Sequence, residues 1–375
     1  MAKSVLASRV GRVIPVALIA ATLTGCGQFL YVGDAPSTPG SSAAIEVFDI
    51  RNSGSTQQMV RKPGITLPAT IGAPSAMVVV NKSLYVAGGS SVLAQFTIDN
   101  MNGNLTLGAT IPTGAPPQYM AATSNAIYVG GFGSNDIRAY SVASNGALTN
   151  VQTTPANGIN SLHVESASGK FVFSGHRAVG ATSPQLCTHT IQSNGSLGTP
   201  NCVAIAGAPS SIQSFGGVLF VLFNAIVPPA PGNTNWISAW NIDPATGALT
   251  KRGTDLDIGA ANTGRIAISA DGKRLFVPRQ GGFNIVGTAN PLTMSAAGFP
   301  TQQSQSCILP PVAGSDVVVN PNGNAMYLTD SVGGTAGNIT GRRITAFDLT
   351  SGNALTPITC EATGNIPQSM AIFAQ

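Results

Sequence analysis

Ile268-Ser269-Ala270-Asp271-Gly272-Lys273-Arg274-Leu275-Phe276-Val277 holds the unit from which the chain is built. An apolar run ends at Ser269, Asp271-Gly272 turns the chain, and a second apolar run starts at Leu275. An Asp-Gly turn between two such runs predicts a β-hairpin. The second arm recurs as Leu30-Tyr31-Val32-Gly33-Asp34, Leu84-Tyr85-Val86-Ala87-Gly88, Ile127-Tyr128-Val129-Gly130-Gly131, Phe171-Val172-Phe173-Ser174-Gly175, Leu219-Phe220-Val221-Leu222-Phe223, Leu275-Phe276-Val277-Pro278-Arg279 and Met326-Tyr327-Leu328-Thr329-Asp330. The seven copies are spaced roughly 43 to 56 residues apart, within or just above the period of propeller blades.

Each copy sits in a larger unit. A loop and a third strand follow it, as in Ala139-Tyr140-Ser141-Val142, Ala239-Trp240-Asn241-Ile242 and Ala346-Phe347-Asp348-Leu349. A glycine turn and a leucine then open a fourth strand, as at Gly103-Asn104-Leu105, Gly146-Ala147-Leu148, Gly195-Ser196-Leu197 and Gly247-Ala248-Leu249. The sequence therefore predicts an all-β, seven-bladed propeller with four antiparallel strands per blade. Blade six is the poorest copy, because its third strand, near Phe283 to Thr288, lacks the aromatic residue. The first unit starts at Phe29 without a first strand. Pro367-Gln368-Ser369-Met370-Ala371-Ile372-Phe373 matches Pro74-Ser75-Ala76-Met77-Val78-Val79-Val80 and looks like the missing one. The C-terminal strand is expected to close the ring and remove its open edges.

Composition agrees with many short strands. The 375 residues include 44 Gly and 25 Pro, only 9% are charged, and 43% are hydrophobic. The formal net charge is +4, but Lys3, Arg9 and Arg12 account for most of it and precede Cys26. No basic stripe remains, so nucleic acid is not an expected partner.

Those basic residues, the short apolar run Val13 to Ala21 and the small residues after it read as an export signal. Leu23-Thr24-Gly25-Cys26 resembles the bacterial lipobox. The expectation is a signal peptide over residues 1–25, lipidation at Cys26, and one propeller over 26–375. Several acyl chains anchor a protein stably where a single chain does not. Gly27 follows the cysteine, and the resemblance to lipoproteins then implies the outer membrane, with the propeller facing the periplasm or the surface. In an oxidising compartment disulfides persist. Cys187 and Cys202 flank one predicted hairpin and are expected to bridge. Cys307 and Cys360 fall in successive repeats, which sets them on neighbouring blades at a separation that works against a bond. No Cys/His spacing suggests a metal, and no motif calls for a cofactor.

The tyrosine-valine strings, the aromatic-x-Ile … Gly-x-Leu hairpins and the segment Ile268 to Val277 resemble the YVTN-type repeats and the lactonase-like β-propellers, the family of bacterial 6-phosphogluconolactonase and of muconate-cyclising enzymes. The resemblance covers nearly all of the chain after Cys26. It implies hydrolysis of a sugar lactone or related cyclic ester. It also implies a His, a Glu and several Arg around the central opening, with a Pro-Arg-His type sequence at the start of a first strand. That sequence is absent here. The equivalent positions are expected at Ala76, Tyr119, Leu162, Ser211, Arg265, Asp316 and Ser369.

First-strand starts and second-strand ends meet on one face of a propeller. They gather Tyr119, His163, Ser211, Arg265 and Asp316 with Asp34, His176, Arg177, Asn224, Arg279 and Asp330. Loops 34–40, 224–235 and 330–341 open on the same face, where binding commonly resides. A lactonase needs a base and an oxyanion donor. His163 and Glu165 are the base candidates, although both read equally as packing residues. His163 is expected to align with Met77, Met120 and Met370. Tyr119, His176, Arg177, Arg265, Arg279, Asp316 and Asp330 are the ligand-binding candidates, with Arg265 and Asp316 alternatively forming a structural ion pair. His189 takes the aromatic position of a third strand. The leading expectation is a non-catalytic, membrane-tethered propeller that binds a small molecule or an envelope protein. A lactonase-type hydrolase is the alternative.

Overall fold

The computed structural model describes residues 27–36, 41–53, 56–179, 183–224, 235–259, 264–279, 282–298, 314–330, 342–350 and 356–374. Cys26 and the leader, Cys307, and most of the three long loops named above lie outside them.

The described residues form seven separate four-stranded antiparallel sheets, with no helix among them. Blade one holds β1 (Gln28–Ala35), β2 (Ala44–Ser53) and β3 (Thr56–Thr66). Blade two is β4 (Pro74–Val80), β5 (Ser83–Gly88), β6 (Val92–Ile98) and β7 (Leu105–Pro112). Blade three is β8 (Tyr119–Ala122), β9 (Ala126–Gly130), β10 (Asp136–Val142) and β11 (Leu148–Pro155). Blade four is β12 (Ile159–Val164), β13 (Phe171–His176), β14 (Gln185–Thr190) and β15 (Asn201–Ala204). Blade five is β16 (Ala208–Phe215), β17 (Val218–Asn224), β18 (Asn235–Ile242) and β19 (Leu249–Gly259). Blade six is β20 (Ala267–Ile268), β21 (Arg274–Arg279), β22 (Gly282–Gly287) and β23 (Thr293–Gly298). Blade seven is β24 (Gly314–Val319), β25 (Ala325–Asp330), β26 (Arg343–Asp348) and β27 (Thr356–Ala362). The last strand, β28 (Ile366–Ala374), pairs with β1 from Gln28↔Ala374 to Ala35↔Ile366 and completes blade one. The first and last described strands are thus tied into one sheet, as the orphan strand in the sequence predicts.

The core lies between blades. Alternate residues of each second strand face opposite neighbours. Tyr31 packs towards Leu84, Val86 and Phe96 of blade two, whereas Leu30 and Val32 pack towards Tyr327 and Ile344 of blade seven. Seven such clusters fill the seven interfaces.

The repeated tyrosine has a second task. The hydroxyl of Tyr31 donates to the carbonyl of Gly103 at 3.1 Å, that of Tyr85 to Gly146 at 2.7 Å, and that of Tyr128 to Gly195 at 3.1 Å. Each bond crosses to the hairpin between the third and fourth strands of the next blade. The strand-two tyrosine and the Gly-x-Leu turn, separate motifs in the sequence, are donor and acceptor of one latch. Gly146 sits at φ +82°, where a Cβ is disfavoured, and a Cβ there would come within 2.3 Å of Ser83 and Gln95. Burial pushes the Tyr128 phenol up to about 12, so it remains a donor. At the closing interface Tyr327 of blade seven donates to Gln57 Oε1 of blade one at 2.6 Å.

Blade four corrects the sequence alignment. Gly175 faces Ser161 as Gly33 faces Ser369, so Val172-Phe173-Ser174-Gly175 is the copy in register. Ser161, not Leu162, takes the first-strand position, and His163 aligns with Val78 rather than Met77. The turn between β12 and β13 runs from residue 165 to 170, against the two residues 81 and 82 between β4 and β5, and displaces both arms. Phe173 has no hydroxyl. Thr188, opposite it on β14, supplies the latch to Gly247 at 2.9 Å instead.

Cys187 and Cys202 are directly opposed on β14 and β15 and are disulfide-bonded, with Cα atoms 4.0 Å apart. Cys360 is also disulfide-bonded, and its partner lies outside the described residues. The distance objection raised from the repeat positions does not leave Cys360 free.

Removing one latch by Tyr85→Phe is expected to cost about 1 kcal/mol in urea unfolding, the net worth of a buried hydrogen bond. Gly146→Ala is expected to cost about 2–4 kcal/mol, because left-handed backbone and overpacking add.

Candidate functional site

Seven inner strands, β28, β4, β8, β12, β16, β20 and β24, surround the central channel. Register shifts near the start of most of them, at Pro74/Ala76, Ile159/Ser161, Pro209/Ser211 and Gly314/Val317, turn the next side chain towards the channel mouth. The ring of positions reads Ala76, Tyr119, Ser161, Ser211, Arg265, Asp316 and Ser369.

Part of this ring is structural. Ser211 Oγ accepts the Ile266 N–H at 3.0 Å. Asp316 is 2% exposed, and its two oxygens accept the N–H groups of Val317 at 3.0 Å and Met370 at 2.8 Å. Asp316 thereby ties blade seven to the closing strand β28. Burial raises its pKa, against the pull of Arg265 and the two amides. Each of its oxygens is engaged by one backbone amide.

Arg265 does something different. It leaves blade six and crosses the mouth to the opposite side. Its Nη2 donates to the carbonyls of Ser75 at 2.9 Å and Gln118 at 3.4 Å, on blades two and three. Among the described residues it forms no ion pair with Asp316, and its Nε and Nη1 have no protein acceptor. Beside it, Tyr119 donates to Asn160 Oδ1 at 3.1 Å, and Asn160 Nδ2 donates to the Pro209 carbonyl at 2.8 Å. Burial raises the Tyr119 pKa, while the nearby charges of Arg265 and Arg177 pull it down. The Arg177 guanidinium lies 3.1 Å over the Phe132 ring, a cation–π contact. Two guanidinium groups and a phenol therefore converge at the mouth. A cavity of about 220 Å³ follows, lined by Tyr119, Ser161, His163, Ser211, Gln213 and Arg265 among others.

The two base candidates are committed elsewhere. His163 Nε2 accepts the backbone N–H of Ser214 at 3.0 Å and lies 2.8 Å from that serine's hydroxyl. The lone pair a base would use is occupied, and burial pushes the pKa down to about 4. Glu165 belongs to the turn at the opposite end of the blade. Its carboxylate accepts the N–H of Ala167 at 3.0 Å, the N–H of Ser168 at 2.9 Å and the Ser168 hydroxyl. Burial raises its pKa, but these bonds outweigh it and hold the group below its usual range.

His176 reaches the mouth with both ring nitrogens used. Nδ1 meets the Asn157 carbonyl at 2.8 Å and Nε2 the Ser174 hydroxyl at 2.7 Å. The same hydroxyl lies 3.0 Å from His189 Nε2. His189 is buried opposite Val172, in the third-strand position held elsewhere by Phe48, Phe96 and Tyr140. The side chains of Asn224, Arg279 and Asp330 are outside the described set. Among the described residues no His, Cys, Asp and Glu group could hold a metal.

Sequence reasoning missed Asn160 and the carbonyls of Ser75 and Gln118. A signal was present, because the residue just before the ring position is polar in Ser75, Gln118, Asn160, Ser210 and Gln368.

The ring of blades and its channel mouth define a seven-bladed β-propeller. A family model described as "Lactonase, 7-bladed beta-propeller" matches residues 80–214, the stretch that supplies Tyr119, Asn160 and Arg177. Among solved structures, the chain is similar to a proposed 6-phosphogluconolactonase of Bacteroides fragilis, at 18% identity and TM-score 0.69, covering 94% of this chain and 99% of that one. A second proposed 6-phosphogluconolactonase, from Bacteroides uniformis, shows 16% identity, TM-score 0.69 and coverage of 93% and 100%. The periplasmic gluconolactonase of Pseudomonas aeruginosa shows 14% identity, TM-score 0.69 and coverage of 93% and 99%. At such identities the likeness is one of fold. No curated protein matches the chain.

His163 and His189 are both held near pKa 4, and burial also lowers His176. The unfolded chain takes up protons below about pH 6.5 that the native chain refuses. Each such histidine is therefore expected to withdraw roughly 1.4 kcal/mol of stability per pH unit as pH drops from 6.5 towards 4. His189→Phe should remove one proton from that slope in pH-dependent urea unfolding.

Proposed function

We propose that the protein is a membrane-tethered binding module of the cell envelope, and that its channel mouth holds a small anionic ligand. Arg265 carries this reading. It spans the opening with Nε and Nη1 unused by the described protein, next to Arg177 and Tyr119. Guanidinium groups bind carboxylates and phosphates through paired N–H donors. The neighbours named for gluconolactone or 6-phosphogluconolactone suggest a sugar acid or its lactone as the ligand class.

Binding without turnover is favoured over hydrolysis by the state of the two candidate bases. His163 has its lone pair occupied, and Glu165 caps a turn at the far end of the blade. The matched lactonase model supports the second reading, a hydrolase for a sugar lactone or related cyclic ester. In that case water would be activated by a group other than these two.

Calorimetry with gluconate and 6-phosphogluconate on the mature protein tests both readings together with a lactone hydrolysis assay. Saturable binding, weakened about 10- to 100-fold by Arg265→Ala, with no hydrolysis above buffer, is the expected outcome. Turnover abolished by Arg265→Ala and retained by His163→Asn establishes the hydrolase instead. Absence of binding to both acids, with the fold intact, removes the sugar-acid ligand class.

Tethering rests on Leu23-Thr24-Gly25-Cys26 and on the strength of multiple acyl chains. The cysteine would carry the lipid at the outer membrane, with the propeller facing the periplasm or the cell surface. Cys26→Ser is expected to move the protein from the membrane fraction to the soluble fraction and to abolish incorporation of labelled palmitate. Unchanged membrane retention would overturn the anchor.

A further inference from the structure

The seam where the ring closes contains an arrangement that the channel mouth does not use. Asp34, near the end of β1, and Glu46, on β2, are diagonal neighbours on the sheet face turned towards blade seven. Asp34 is completely buried and Glu46 is 6% exposed. Glu46 Oε1 is well supplied with donors. It takes the Arg61 guanidinium as an ion pair and accepts the Gly364 N–H at 2.8 Å. Three other carboxyl oxygens have no hydrogen-bond donor at normal geometry: both of Asp34 and Oε2 of Glu46.

Two ionised carboxylates have no hydrogen between them and repel. One proton resolves the conflict, because a protonated Asp34 donates its O–H to Glu46 and leaves a single negative charge facing Arg61. The same cluster holds the segment that leads into the closing strand. Arg61 Nη1 donates to the Ala362 carbonyl at 3.1 Å, and Glu46 binds Gly364. Asn365 Nδ2 donates to the Ser42 carbonyl at 3.2 Å, and Thr363 N–H donates to the carbonyl of Arg342.

We propose that the closing seam of the propeller is held by one proton shared between Asp34 and Glu46, so that the junction of β27 and β28 loosens when this proton leaves. The charged groups acting on Asp34 are Glu46 from β2 and Arg61 from β3. Arg342 immediately precedes β26 of blade seven, whose first residue, Arg343, pairs with Ala362. Burial, with the charge of Glu46 next, raises the Asp34 pKa to about 8, against smaller opposing effects of Arg61 and the Asn365 amide. The folded state thus keeps a proton that the unfolded chain has lost. Stability from this pair is present at acid pH and is lost as pH rises towards 8, levelling off beyond it. The buried histidines act below pH 6.5, and Asp316 is the same in wild type and variants, so between 6.5 and 8 the pair's share of the slope is the part that Asp34→Asn removes.

The test uses the full mature protein. Urea unfolding between pH 6.5 and 8 should show stability falling with the slope of one proton. Asp34→Asn, whose amide also donates to Glu46, should remove that slope. Infrared difference spectra should show a protonated carboxyl band that titrates near pH 8 and disappears in Asp34→Asn and in Glu46→Gln. Among the described residues Asp316 is also a buried acid with a raised pKa, so the band assigned to the seam is the one these variants remove. A flat stability profile in the wild type, or a band unchanged in both variants, overturns the proposal. Should Asp34→Asn fail to fold, the wild-type titration and Glu46→Gln decide it.

Discussion

A four-stranded blade has two apolar faces and can cover neither by itself. Every other feature of this molecule depends on that constraint. The second strand of each blade sends alternate residues into two different interfaces, so one short string such as Leu30-Tyr31-Val32 serves two neighbours at once. The latch from tyrosine hydroxyl to glycine carbonyl adds direction to this packing. Apolar contact alone would permit blades to slide against each other, whereas a buried donor has one acceptor and fixes their relative height.

Fixed blade height makes the channel mouth a defined object. Because each inner strand starts at the same level, seven side chains from seven distant segments form one ring. Two of them, Ser211 and Asp316, accept a backbone N–H of the following inner strand and hold that ring together. Arg265 reaches across it to the far wall. The same geometry that closes the protein therefore presents a guanidinium with spare donors at its centre.

Ionisable groups are scarce in this chain, and most of the buried ones are already employed. Asp316 staples the ring, Glu165 caps a turn, His163 accepts an amide, and His176 and His189 share the Ser174 hydroxyl. Each resembles a catalytic residue in composition and is held in the fold by the partners named above. Asp34 and Glu46 stand apart, since their donors and acceptors balance only with an added proton.

Strand repeats, blade number, ring closure and the bridge between Cys187 and Cys202 were legible in the amino-acid order, because they follow from local periodicity and short sequence separation. His189 could be placed as a packing residue because its strand position recurs in every blade. The register of blade four was not legible. A six-residue turn instead of a two-residue one changes no pattern of apolar residues but moves Ser161 into the ring and His163 out of its expected alignment. The roles of Arg265, Asp316, His163 and Glu165 were also beyond the sequence. Their partners lie between 1 and 190 positions away, and only the closed ring decides which carbonyl or amide each side chain meets.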